Sequence, residues 1–111
     1  MNNDSVLLLV GLQCPPEIEQ KFNEWYEEHI SDILKYPGVK AATRYKLTED
    51  NDEYPNYLAI YEFENEQAAK DYDTSPERDV VMRRAAEWWP EGTPYERRWR
   101  VKYRVIQSWK K

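Results

Sequence analysis

The hydrophobic period switches between two and 3.6 in a fixed order along the chain, and that order limits the possible folds more than any other feature. Val6 to Leu12 is a continuous β-prone run closed by Gln13-Cys14-Pro15-Pro16, where paired prolines stop a strand and open a helix. From Glu17 to about Lys35 the residues Ile18, Phe22, Trp25, Tyr26, Ile30, Ile33 and Leu34 recur at helical spacing, and Tyr36-Pro37-Gly38 ends the helix. Val39 to Leu47 alternates, with Val39, Ala41, Thr43, Tyr45 and Leu47 on one side and Lys40, Ala42, Arg44 and Lys46 on the other. An acidic loop leads to a third strand, Tyr57 to Phe63. Asn65 caps a second helix from Glu66; it breaks near Thr74 and restarts at Ser75-Pro76 through about Trp88. Pro90, Gly92 and Pro94 mark a loop before a fourth strand, Trp99 to Trp109.

Strand, helix, strand, strand, helix, strand is a split βαβ unit repeated. It predicts an α+β, ferredoxin-like βαββαβ fold, a four-stranded antiparallel sheet with its helices on one face. The 111 residues suit one domain, residues 1–111. Strands one and three, and part of strand four, are nevertheless apolar on both faces, so the uncovered face needs a second sheet. The expectation is a homodimer packed sheet to sheet into an α+β barrel.

Charge and cysteine content exclude several function classes. The net charge is -5, yet residues 1–90 carry 9 basic against 19 acidic side chains and residues 91–111 carry 7 against 2. The basic segment alternates with Trp99, Val101, Tyr103 and Val105, which reads as a strand with one basic face rather than a phosphate-binding arm, so no nucleic-acid partner is expected. The apolar run Val6 to Val10 is too short for a signal segment or a membrane span. The lone Cys14 forms no intramolecular disulfide and fits a reducing cytoplasm, the expected location. No P-loop, GxGxxG or metal-ligand triad is present, which disfavours nucleotide-dependent and zinc chemistry and leaves haem open only through His29.

His29 is the only histidine, and its ordinary titration near neutral pH suits a general acid or base. It shares a helical face with Trp25 and Tyr26; Asp32 is the better placed carboxylate to orient it, while Glu28 points to solvent. Arg44, Glu62 and Arg104 fall on the more polar strand faces, as an anion clamp or as an internal salt-bridge network. Tyr45, Tyr61 and Tyr103 fall on matching faces of three strands and offer hydroxyls or simple core packing. Trp25, Tyr26, Tyr72, Trp88 and Trp89 gather aromatic surface suited to a flat ligand.

The stretch Phe22-Asn23-Glu24-Trp25-Tyr26-Glu27-Glu28-His29-Ile30, with Ile33-Leu34, Pro37-Gly38-Val39 and Ala42-Thr43-Arg44-Tyr45, resembles the signature of the EthD-like proteins of the dimeric α+β barrel superfamily. Tyr57-Leu58-Ala59-Ile60-Tyr61-Glu62 and the Arg-rich strand from Arg97 resemble later strands of that family, whereas Ser31 replaces a proline common in it. That superfamily includes cofactor-free cyclases, isomerases, dehydratases and monooxygenases, haem enzymes, and members with no known activity; the expectation taken from it is a homodimer that uses no cofactor and acts on a small, apolar or aromatic, polyketide-like metabolite by cyclisation, isomerisation or dehydration. In that reading His29, Arg44 and Tyr61 are catalytic, and Trp25, Tyr26, Tyr45, Tyr72, Trp88, Trp89 and Tyr103 bind substrate. The other reading is a non-catalytic small-molecule-binding or structural homodimer.

Overall fold

A computed structural model describes residues 4–111. Four strands, β1 (Val6–Gln13), β2 (Val39–Lys46), β3 (Tyr57–Phe63) and β4 (Glu96–Arg104), form one antiparallel sheet in the order β2-β3-β1-β4. The helices are α1 (Glu19–Ile33), α2 (Glu66–Tyr72) and α3 (Pro76–Trp88). This is the expected ferredoxin-like arrangement, with the second helix broken where Ser75-Pro76 predicts it.

Each helix begins where local chemistry dictates. A single 3-10 turn, Pro16–Ile18, follows Pro15 and leads into α1. Asn65 Oδ1 accepts the Ala68 N–H at 2.7 Å, and Ser75 Oγ accepts the Arg78 N–H at 3.1 Å, so both later helices start on side-chain caps. None of the helices among the described residues is long and apolar enough to cross a membrane.

The core lies between the sheet and the helices. Val6, Leu8, Val10 and Leu12 of β1 and Tyr57, Ala59, Tyr61 and Phe63 of β3 are buried against Phe22, Trp25, Tyr26, Ile33, Ala69, Tyr72 and Val81. The other face carries Leu7, Leu9, Leu58, Ile60, Trp99, Val101, Tyr103 and Tyr45, half-buried or exposed. Gly11 lies in this face beside Trp99; a Cβ built on it falls 2.6 Å from Trp99 Cε2 and 2.9 Å from Pro55 Cγ, so only glycine fits under that indole.

Three strand readings need correction. Register shifts between Val39 and Ala41, so Val39 pairs with Phe63 and joins Ala42 and Arg44 on the helix side; strict alternation placed it with Tyr45. The fourth strand spans Glu96–Arg104 rather than Trp99 to Trp109, because its pairing with β1 reaches Val6 and only the Val105 N–H to Ser5 bond follows. Tyr45, Tyr61 and Tyr103 do not share a face: Tyr61 is buried under the helices, while Tyr45 and Tyr103 stand exposed on the open face, 50% and 61% accessible.

Candidate functional site

Between the sheet, α1 and α3 lies a cavity of about 320 Å³. Its floor is Leu8, Val10, Leu12 and Tyr61, one wall is Trp25, Tyr26, His29 and Ile33 of α1, and the other is Val81, Met82, Ala85 and Ala86 of α3. Trp89 and Tyr95 line it from the loop after α3, and Tyr72, Arg78, Arg97 and Arg100 complete most of the lining. An apolar, aromatic hollow with a few polar groups has the make-up of a small-molecule site.

The helical spacing of three and four residues brings Trp25, Tyr26 and His29 together as expected. The imidazole stacks on Trp25 at 4.5 Å between centroids and meets Tyr26 edge-on at 5.2 Å. Neither ring nitrogen hydrogen-bonds a described residue, so both are free for a ligand. Burial pulls the imidazole down from 6.5 to about 4, with the nearby Asp32 charge opposing only weakly. The side chain is therefore neutral at pH 7, and its titration lies below the near-neutral range that its type predicts.

The expected orienting carboxylate is engaged elsewhere. Asp32, 5% exposed, accepts from Arg84 Nε at 2.8 Å and pairs with Lys35 at 3.4 Å. Glu28 is not simply solvated: it accepts from Arg84 Nη2 at 2.5 Å and from the Trp88 indole. Arg84 of α3 thus bridges two acids of α1. Trp88, held to Glu28, is not part of the cavity lining, whereas its neighbour Trp89 is.

A second polar element sits on the floor. The Tyr61 hydroxyl donates to that of Tyr26 at 3.2 Å, and burial raises both phenols above their ordinary range. Tyr72 is likewise pushed up by burial to about 12. All remain protonated donors across the working pH range. Arg44 does not line the cavity; its guanidinium stacks over the Tyr26 ring at 4.3 Å and donates to Asn23 Oδ1 at 2.9 Å. Glu62, on the open face, accepts from Ser5 Oγ at 2.9 Å, and Arg104 lies on the opposite face, so Arg44, Glu62 and Arg104 do not converge. Cys14 is buried and its thiol is pushed up to about 11 by desolvation, the inert small-hydrophobe outcome.

Sequence reasoning missed Tyr95, Arg78, Arg97 and Arg100. Tyr95 stacks on Trp25 at 5.3 Å, yet it lies in a loop after Pro94 where no periodicity marks a facing direction. The arginines were legible as charges, but their direction depends on strand register and on where α3 begins.

The fold and cavity define a ferredoxin-like α+β protein with an apolar, aromatic hollow between one sheet face and its helices. The chain belongs to a family described only as a domain of unknown function, DUF4286, whose model matches residues 5–87. No curated protein matches it significantly. Among solved structures it shares its fold with an EthD family protein from Bacillus halodurans, at TM-score 0.62 and 12% identity over 92% of this chain and 98% of the other. A dimeric, ferredoxin-like protein of unknown function from Bacteroides fragilis matches at 0.60 and 19%, covering 92% and 97%. SnoaB of Streptomyces nogalater, a cofactor-independent oxygenase, matches at 0.61 and 14%, covering 95% and 96%. The expected likeness to EthD-like proteins thus holds at the level of fold.

Proposed function

We propose that the chain is a cofactor-independent enzyme of cyclase, isomerase or dehydratase type, acting on an apolar or aromatic, polyketide-like metabolite. One observation carries this reading: the only histidine is neutral, stacked in an aromatic cavity, and has both nitrogens free. His29 takes a proton from an acidic carbon next to a substrate carbonyl, and the electron pair moves onto the carbonyl oxygen as an enolate. Tyr61 donates to Tyr26, which leaves the Tyr26 proton free for that oxygen. The imidazolium returns its proton to another carbon in an isomerisation, or to a departing hydroxyl, lost as water, in a dehydration. Arg44 acts through Tyr26 as a positioning residue, and Trp25, Tyr72 and Trp89 exclude water.

The working unit in this proposal is a homodimer in the cytoplasm, formed by packing the open sheet faces together. Tyr45 and Tyr103 then belong to the interface rather than to this cavity. By analogy of fold, the dimeric Bacteroides fragilis protein supports the assembly and the cofactor-independent oxygenase SnoaB supports chemistry without a cofactor; the proton-transfer type rests on His29 alone.

The test is hydrogen–deuterium exchange of β-tetralone, a flat enolisable ketone, in D2O followed by NMR. Wild-type protein accelerates exchange at the α-carbon, and His29→Gln loses about 100-fold or more of that acceleration. A second reading, a non-catalytic binder, is favoured by the same low imidazole pKa, which makes His29 a weak base in the empty site. Binding of β-tetralone without any acceleration of exchange decides for it.

A further inference from the structure

Arg78, Arg97 and Arg100 line the same cavity as His29, and two features of the backbone bring them there. The register between β1 and β4 shifts between Gly11 and Leu12, so that Val10 pairs with Arg100, Gly11 with Trp99 and Leu12 with Arg97. Arg98 is the extra residue. Without it the period of two would set Arg97 beside Trp99 on the open face; the bulge turns Arg97 to the cavity side. Arg78 comes from the first turn of α3, whose start is fixed by the Ser75 cap.

The positive charge gathered there is only partly compensated. Asp73 pairs with Arg78 at 3.8 Å, Arg100 at 2.7 Å and Lys102 at 2.5 Å, one carboxylate shared by three cations. Arg97 makes no ion pair or hydrogen bond among the described residues. This surplus sits in a chain whose net charge is -5, so it is local and not a property of the whole surface. The indole of Trp89 supplies an independent sign of an absent ligand: the residue is 6% exposed, it lines the cavity, and its Nε1–H has no partner among the described residues. A buried donor left unpaired is unfavourable and is relieved by an acceptor brought in with the ligand.

We infer that the cavity takes an aromatic carboxylate, its ring held among Trp25, His29, Trp89 and Tyr95 and its carboxylate on the fork of Arg97. This rests on the small-molecule reading above and adds the substrate class. Asp73 already occupies Arg100 and draws Arg78, so the unclaimed guanidinium is that of Arg97, and one planar fork matches one carboxylate bidentately. Arg78 and Arg100 add field rather than contacts.

Calorimetric titration with naphthoate and its neutral isostere naphthamide tests this. Wild-type protein binds naphthoate about tenfold or more tightly than naphthamide at low salt, the effect of one charge-assisted hydrogen bond. Arg97→Gln, at an exposed side chain with no partner to lose, removes the preference by weakening naphthoate about tenfold more than naphthamide. Ala85→Trp, which fills the cavity, abolishes binding of both. Equal affinity for the two probes, or a preference that survives Arg97→Gln, overturns the inference that Arg97 holds a carboxylate and leaves the small-molecule site standing. Binding of neither probe overturns the inference together with the reading beneath it.

Discussion

His29 illustrates how far a residue's environment outweighs its type. Its place on one face with Trp25 and Tyr26 was legible from spacing alone, because helical geometry fixes which side chains are neighbours. Its ionisation was not, because that depends on how much water the finished cavity excludes. The sign of the resulting pH dependence follows directly. The folded pKa, about 4, lies below the ordinary 6.5, so the unfolded chain binds more protons between these values and stability falls as pH drops through that window. The loss attributable to His29 is on the order of 2–3 kcal/mol by pH 4 and is absent above about pH 7. Urea unfolding of the wild type and His29→Gln across this range measures it; equal slopes for the two proteins would show that the imidazole is not held neutral by burial. Arg44 teaches the converse lesson. Its residue type suggested an anion clamp, but its strand face delivers it to Tyr26 and Asn23, outside the cavity.

Between elements, the contact that matters most to the cavity is the bridge from α1 to α3. Arg84 spans Glu28 and Asp32, and Trp88 adds its indole to Glu28, so the two helical walls are held at a fixed separation. Asp32→Ala removes the buried end of this bridge and is expected to lower stability by about 1.5–3 kcal/mol, the worth of a hydrogen bond to a charged group. Chemical denaturation checks the stability change; retained stability in this variant would mean that packing alone holds α1 to α3. The bridge was hidden in the sequence because its partners lie more than fifty residues apart and no local pattern pairs them. The helices and strands themselves were legible, since proline, Asn65 and Ser75 punctuate a chain whose apolar period is otherwise clear. Their limits were blurred only where register decides, at Val39 and at the end of β4.

At the scale of the whole molecule, the sheet is apolar on a face that no helix covers, a property legible in the residues of β1 and β3, which are apolar at successive positions rather than at alternate ones. Pairing two such faces gives a particle of about 27 kDa, twice the 13.5 kDa chain. Ile60→Lys, in the middle of the open side of β3, is expected to convert it to the single chain at micromolar concentration. Native mass spectrometry reads the change, and a wild-type monomer would remove the need for a second sheet. The arginine end of the cavity escaped sequence reading for a reason of the same scale: only the completed β1 and β4 ladder, with its extra residue at Arg98, decides which way Arg97 turns. The close approach of Trp99 to Gly11 carries a consequence for how the sequence is free to drift. Position 11 admits a single letter while Trp99 stands over it, because even one methyl group would lift the indole and roughen the open sheet face. The constraint runs one way: position 11 is free to grow only after Trp99 and Pro55, both distant along the chain, have given way to smaller neighbours.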